Sequence, residues 1–362
     1  MHPSGGYAAS HRSPKAELHA TDVVTVVQPS GHVACSSFNV VNNNGVLGAV
    51  RASVEINGCA TELVMIHDQQ AGCFVFPGGS LQPEQHVLLS LPLVRGRNRL
   101  EFFIDAGTSA CADLWLWSAR DRIVVVDVDG TITKSDVLGL ATSFFSNLNP
   151  WTKNVAKTLN KDYTHDGVAE ALTFISRCNY QMLYLTARPI TLAGQTREFL
   201  LSVGKSQNAS LPEGPIITQP HGTIKSLQVK HEVFKIEGLS KIQELFYSSA
   251  DSTHGLPSTE SGPVPFAAGF GNHETDVMAY TSAGISATHI FVLDTTSDLR
   301  IHGCGTKVKS YTGLMPHLPA LFQPLRPADA GDSEFQCWAR NSDEVPNPTA
   351  PLGDTGSASR QP

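Results

Sequence analysis

The run Ile123-Val124-Val125-Val126 constrains this chain more than any other feature. An unbroken β-branched run with no polar alternation fits a strand covered on both faces, as in a parallel sheet packed between helices. It ends in Asp127-Val128-Asp129-Gly130-Thr131. Open α/β sheets bind ligands just beyond the carboxyl ends of their strands. If the extended geometry continues, side-chain alternation turns Asp127 and Asp129 toward one side. Two close carboxylates are costly unless a cation binds or one of them is protonated. Both outcomes serve phosphoryl transfer.

Two other readings compete. An EF-hand also opens Asp-x-Asp, but Ile132 stands where its turn glycine belongs and Leu138 where its final glutamate belongs. The second competitor is an ordinary acidic turn after a strand. Three later features bear on it. Thr186, in Tyr184-Leu185-Thr186-Ala187-Arg188-Pro189, puts a hydroxyl at the end of the next strong strand, where it can meet a phosphoryl oxygen. By itself it also suits a helix cap before Pro189. Lys230 and Lys235 flank His231-Glu232-Val233-Phe234 near a helix start. Either could offset a phosphate's charge, and either alone could be a solvated lysine. Gly269-Phe270-Gly271-Asn272-His273-Glu274-Thr275-Asp276 follows a further strand, and the oxygens of Asn272 and Asp276 suit Mg²⁺. The four elements in this order are far more specific than any one of them.

The surrounding pattern is that of a doubly wound domain over residues 119–323. Strands are predicted at 182–185, 215–218, 267–270 and 290–293, with helices at 168–177, 192–203, 241–246 and 275–282. Residues 22–118 read differently. Short β-like runs at 23–27, 53–56, 61–66, 73–76, 86–89, 100–104 and 113–117 are separated by turn residues, with Asn57-Gly58 the strongest hairpin signal. That spacing predicts an immunoglobulin-like β-sandwich with a docking role. Residues 1–21 read as a flexible leader without the apolar core of a signal peptide. Residues 324–362 are rich in Pro, Gly, Ser, Asp and Ala and read as a disordered tail, in which Phe335 and Trp338 could form a small docking point.

Composition narrows the partners. The formal net charge is −7 and the sequence pI about 6.0, which speaks against a nucleic-acid binder and against general attraction to an anionic bilayer. No apolar run reaches the roughly 18 residues of a membrane-spanning helix. The seven cysteines are scattered, without a C-x-x-C pair, as expected for free thiols in a reducing compartment.

The order of motifs is similar to that of the haloacid dehalogenase superfamily of aspartyl-phosphate enzymes. Locally it resembles the lipin family of phosphatidate phosphatases. Asp127-Val128-Asp129-Gly130-Thr131-Ile132-Thr133-Lys134-Ser135-Asp136 carries the resemblance, with Asp162-Tyr163-Thr164-His165-Asp166-Gly167, Leu211-Pro212-Glu213-Gly214-Pro215 and the 270–277 segment. Leu114-Trp115-Leu116-Trp117 also matches, as do Gln28-Pro29-Ser30-Gly31, Gly45-Val46-Leu47-Gly48 and Glu55-Ile56-Asn57-Gly58 of the amino-terminal region.

The resemblance implies a Rossmann-like fold and a chemistry. Asp127 would attack the phosphorus of phosphatidic acid, and Asp129 would protonate the diacylglycerol oxygen and then activate water. Mg²⁺ would be held by Asp127, Asp129 through its carbonyl, and Asn272 or Asp276. Thr186 and a lysine, Lys230 fitting the family position better than Lys235, would stabilise the equatorial oxygens. Gly130, Thr131 and Arg188 would contact substrate. The resemblance also implies a cytoplasmic protein peripherally attached to an intracellular membrane such as the endoplasmic reticulum.

Two departures bear on that attachment. The lipin amphipathic helix at the extreme amino terminus is replaced here by Met1-His2-Pro3-Ser4-Gly5-Gly6. Residues 140–160 read as an insertion after the catalytic loop, with Phe144, Phe145 and Trp151 beside Lys153, Lys157 and Lys161. This segment either enters the bilayer interface or packs as an amphipathic helix on its own domain. Two other functions stay open: a phosphatase for a small soluble ester, and a non-catalytic phosphatidic-acid-binding module. The related domain of some phosphatidylinositol-transfer proteins lacks the full acidic pair, and retention of Asp127 and Asp129 speaks against the module.

Overall fold

The computed structural model describes residues 17–42, 50–104, 107–134, 164–204, 209–220, 231–247 and 264–326. Phe144, Phe145, Trp151, Lys230, Phe335 and Trp338 lie outside the described residues. The 123–126 run becomes β10 (Ile123–Asp127), buried along its whole length. It pairs in parallel with β11 (Gln181–Pro189) on one side and β13 (Phe266–Gly271) on the other. Farther out, β12 (Ile216–Gln219) pairs with β11, and β14 (Ile290–Leu293) with β13. The parallel order β12-β11-β10-β13-β14 is the doubly wound one, and it reverses direction between β10 and β13. Two antiparallel strands the sequence pattern did not suggest, β15 (Asp298–Ile301) and β16 (Lys307–Lys309), extend the β14 edge.

Both faces of the sheet are covered. Helix α2 (Val168–Arg177) buries Val168, Ala171, Leu172 and Ile175, a helical stripe that shares a core with Val124 and Val126. On the other face, Ile123 and Val125 meet Leu239 and Ile242 of α4 (His231–Glu244) and Val277 and Tyr280 of α5 (Glu274–Ser282). Helix α3 (Ala193–Ser202) follows β11, and the short α6 (Ser310–Leu314) and α7 (Leu318–Leu321) close the α2 side.

Ahead of this lies an all-β unit. Its strands are β1 (Leu18–Ala20), β2 (Val23–Val27), β3 (Val33–Cys35), β4 (Val40–Asn42), β5 (Arg51–Ile56), β6 (Cys59–Asp68), β7 (Cys73–Val75), β8 (Gly96–Ile104) and β9 (Thr108–Ser118). All nine hydrogen-bond in one ladder, β1-β4-β7-β6-β5-β8-β9-β2-β3. The β content is as expected, but the ladder is continuous rather than divided into the two sheets of an immunoglobulin-like sandwich. The β5–β6 hairpin turns on Asn57 and Gly58, with φ of 53° and 77°, as a two-residue hairpin of this hand needs.

Two expectations need correction here. Residues 86–89, predicted as a strand, form helix α1 (Gln85–Ser90), which buries Leu88. A short apolar run does not distinguish the two by period. Leu91 turns extended (ψ 145°) ahead of Pro92, which ends the helix. The leader reading of residues 1–21 fails at its end, because β1 pairs with β4 and buries Leu18 and Ala20.

The two units share a core. Strand β2 sends Val23 and Val27 into the β unit and Val24 and Val26 toward the α/β sheet, and β9 divides Leu114 and Leu116 from Trp115 and Trp117 in the same way. Each such side chain of valine or leucine size contributes about 1.5–3 kcal/mol by leaving water. A polar clasp fixes the register. Buried Asp22 accepts hydrogen bonds from the backbone N–H groups of Asp113 (2.8 Å) and Ile216 (2.9 Å) and pairs with Arg197 of α3. Burial pushes its carboxyl up to about 6, against the pull of Arg197. Gln28 donates to the carbonyls of Leu245 (3.2 Å) and Tyr247 (2.6 Å), beyond the end of α4.

Candidate active site

The carboxyl ends of β10, β11 and β13 meet where the strand order reverses, and the polar residues gather there. Asp127, the last residue of β10, is buried. Its Oδ1 accepts a hydrogen bond from Lys235 Nζ at 2.7 Å, and its Oδ2 accepts one from Thr131 Oγ1 at 3.0 Å. The same Lys235 ammonium reaches Asp276 Oδ1 at 2.5 Å. Asp276 belongs to the first turn of α5, and its Oδ2 accepts the backbone N–H groups of Asn272 and His273, each at 3.0 Å. An acid there caps the helix and faces its positive end.

Two carboxylates therefore share one ammonium, and the trio carries surplus negative charge. Burial pushes the Asp127 carboxyl up to about 7, and Asp276 and Asp129 push the same way against Lys235. Lys235 is itself held well above an ordinary lysine by the two acids, despite its burial. A perturbed acid at a strand end, held by a specific charge partner, is typical of catalytic sites.

Asp129 takes a different partner. The strand ends at Asp127, two residues before it. Arg188 grips its carboxylate from two sides, with Nη2 at 2.6 Å from Oδ1 and Nε at 3.1 Å from Oδ2. Thr186 Oγ1 donates to Oδ2 at 3.0 Å. Arg188 is buried, its Nη1 meets Thr196 Oγ1 at 3.2 Å, and its guanidinium lies over the Phe199 ring at 5.7 Å. A planar donor held so tightly orients the acid it binds. Thr186 and Arg188 were expected to meet substrate, and in this state both are spent on Asp129.

Gly130, with φ of 83°, begins the turn, and its N–H donates to Thr133 Oγ1 at 2.9 Å. Asn272 Oδ1 lies 3.5 Å from Thr131 Oγ1. Among the described residues no three His, Cys, Asp or Glu side chains converge on one point. The oxygen donors present are the carboxylates of Asp127 and Asp276, the Asn272 amide and backbone carbonyls of the turn. All are hard, and their surplus charge fits a small divalent cation such as Mg²⁺.

Lys230, the lysine the family position favoured, lies outside the described residues; the lysine placed between Asp127 and Asp276 is Lys235. A signal for it was in the sequence. Lys235 stands four residues before Leu239 and seven before Ile242, both buried, so it falls on the inward face of α4. Sequence reasoning quoted His165 only as part of a motif, gave it no role and passed over Tyr311; both are buried and touch the backbone of the turn after Asp129.

Glycine makes room for Asp276. A Cβ on Gly271 would stand 2.4 Å from Asp276 Cβ, and one on Gly269 would stand 2.5 Å from the Tyr280 ring. Strand β13 is thus bare where α5 crosses it. Gly271→Ala is expected to displace Asp276 by about 1 Å and lower kcat about a hundredfold in a folded protein. Steady-state kinetics beside a thermal melt would check this; wild-type turnover would show that the close approach is dispensable.

The model of the LNS2 (Lipin/Ned1/Smp2) family matches residues 79–323. The match starts within the β unit, before α1, and runs through α7. Phosphatidic acid phosphohydrolase 1 of Saccharomyces cerevisiae is 38% identical over 221 residues, which are 59% of this chain and 23% of that protein. The human phosphatidate phosphatase LPIN1 is 32% identical over 259 residues, 69% of this chain and 26% of that one. The Arabidopsis thaliana phosphatidate phosphatase PAH1 is 33% identical over 275 residues, 73% and 27%. The chain thus spans about a quarter of the length of these relatives.

Proposed function

The chain belongs to the LNS2 (Lipin/Ned1/Smp2) family, and from that premise we propose that it is a Mg²⁺-dependent phosphatase that hydrolyses phosphatidic acid to diacylglycerol and phosphate. The observation that carries the proposal is the division of two acids between two cations at one sheet end: Asp127 with Lys235, and Asp129 with Arg188. Such a division gives the two acids different partners and settings, in keeping with different tasks for a nucleophile and a proton carrier.

In this proposal an Asp127 oxygen forms a bond to phosphorus while the bond from phosphorus to the glycerol oxygen breaks, leaving an aspartyl-phosphate. Asp129, released from Arg188 and carrying a proton, delivers it to the departing oxygen and later takes one from the water that attacks the phosphorus as the bond from phosphorus to Asp127 breaks and phosphate leaves. Before substrate enters, Arg188 and Thr186 fix the position of the Asp129 carboxyl. Lys235 balances Asp127 and Asp276 before substrate enters and lies within reach of the phosphoryl oxygens at Asp127. Mg²⁺, held by oxygens of Asp127, Asp276 and Asn272 and the Asp129 carbonyl, would supply neutralisation of phosphate charge.

The substrate resides in a bilayer, so the proposal includes peripheral attachment to an intracellular membrane; among the described residues no helix is long and apolar enough to cross one. A sandwich-like closure of the β unit is part of the same reading. It is supported by β1 lying against β9 although the two are far apart in the ladder.

The test is phosphate release from phosphatidic acid vesicles with and without Mg²⁺, for wild type and Asp129→Asn. We expect Mg²⁺-dependent release by wild type and a loss of about 10²–10⁴-fold in the variant, the range of general acid–base catalysis. Turnover of water-soluble esters alone would point to a small-ester phosphatase. Full activity of Asp129→Asn would remove the proton carrier from the mechanism.

A further inference from the structure

His165 is among the buried titratable groups that the proposed chemistry leaves unused. His165 is 1% exposed and touches no reacting group, yet it contacts the catalytic turn directly. Its Nε2 lies 3.2 Å from the Gly130 carbonyl oxygen and its Nδ1 2.9 Å from Ser297 Oγ. A carbonyl only accepts, so Nε2 carries the proton, and Nδ1 accepts from the Ser297 hydroxyl. Burial lowers the imidazole's affinity for a second proton, in keeping with this neutral tautomer.

The neighbours build a frame around the same turn. His165 N–H donates to the Ile132 carbonyl at 3.0 Å, and Thr133 bridges Thr164. Tyr311 Oη–H donates to the carbonyl of Thr131 at 3.2 Å. Ser297 is held with φ of 67°, a costly conformation for a non-glycine residue, and its carbonyl accepts the Ser310 N–H at 2.7 Å. Three successive carbonyls, of Gly130, Thr131 and Ile132, are thus each held by a donor from outside the turn. In a trans peptide the following N–H points opposite to the C=O. The imidazole therefore fixes the peptide plane between Gly130, which adjoins Asp129, and Thr131, whose hydroxyl meets Asp127.

We propose that His165 is a positioning residue. Braced by Ser297 from the β14–β15 connection, it holds the peptide plane that sets Asp129 and Thr131 relative to Asp127. The inference rests on the phosphatase reading for its kinetic consequence and on geometry alone for its structural one.

The experiment compares full-length wild type, His165→Gln, His165→Ala and Ser297→Ala in two measurements. One is amide hydrogen exchange over residues 124–134, and the other is Mg²⁺-dependent phosphate release from phosphatidic acid vesicles. His165→Ala is expected to speed exchange in the turn about tenfold, with α2 unchanged, and to lower kcat about tenfold or more with KM within about twofold. His165→Gln keeps an N–H near the Nε2 position and should recover most of both losses, and Ser297→Ala should fall between. Wild-type exchange and kcat in His165→Ala would overturn the proposal, as would a folded His165→Gln no better than alanine. If His165→Ala does not fold, the glutamine and Ser297→Ala variants decide by the same two measurements. If wild type releases no phosphate, the phosphatase reading fails, and exchange in the turn still decides the role of His165.

Discussion

Asp127→Asn is expected to abolish phosphate release and, at neutral pH, to make the protein more stable. The first effect follows from losing the nucleophile; a nucleophile removed from a catalytic set costs on the order of 10⁴–10⁶-fold in kcat. The second follows from charge. Asp127 and Asp276 now share the single ammonium of Lys235, whereas the variant leaves Lys235 and Asp276 as a balanced pair. Asparagine can accept from Lys235 through its carbonyl and donate through its amide to the Thr131 oxygen, while the Thr131 hydroxyl proton, which wild-type Asp127 accepts, turns to Asn272 Oδ1 at 3.5 Å. The pH dependence gives the sign. The native carboxyl keeps its proton up to about 7, while the unfolded chain releases it near 3.8. Between those values the native state binds more protons, so wild-type stability falls as pH rises. Asp127→Asn lacks this loss. Denaturant unfolding without divalent cations should find the two proteins alike below about pH 4 and the variant favoured by a few kcal/mol, at most about 4, at pH 8. Equal stability at both pH values would mean that the acid pair stores no strain.

How much of this was legible in the sequence depended on whether local pattern or distant contact decided the outcome. The strand of β10 and the stripe of α2 were legible because burial on two faces and on one helical face leave different periods. The doubly wound order was legible because strands and helices alternate. The edge strands β15 and β16 were not, since Asp298–Ile301 and Lys307–Lys309 are short, partly polar and paired only with their neighbours. In the β unit, alternation in β2 and β9 does not reveal that Val24, Val26, Trp115 and Trp117 pack in one core with the α/β sheet. In the site, the positions of Asp127 and Asp276 followed from strand ends, but their partners did not. Arg188 was expected to face substrate and instead grips Asp129, because β11 carries both Thr186 and Arg188 to the same turn. The choice between Lys230 and Lys235 rested on spacing within a family pattern, where the apolar period of α4 would have served better.

Lys235→Met is expected to be the most destabilising single change in the site. It removes the cation from between two buried carboxylates and leaves Asp127 and Asp276 turned toward the same space. Breaking a buried pair in this way costs about 3–5 kcal/mol, more than a well-packed apolar replacement of the whole cluster would. One acid must then take up a proton, so the loss should be largest at high pH and shrink on acidification, as one carboxyl of the pair becomes neutral. Adding Asp276→Asn removes one of the opposed charges and should restore much of the stability while leaving the enzyme inactive. In denaturant titrations the double variant would then be more stable than Lys235→Met, with an interaction energy of about 1–3 kcal/mol between the two sites. Strict additivity would show that Lys235 and Asp276 do not act on one another. Lys230→Met provides the comparison between the two lysines. If it, rather than Lys235→Met, carried the loss of stability and activity, the ammonium at Asp127 would belong to the position the family pattern favoured.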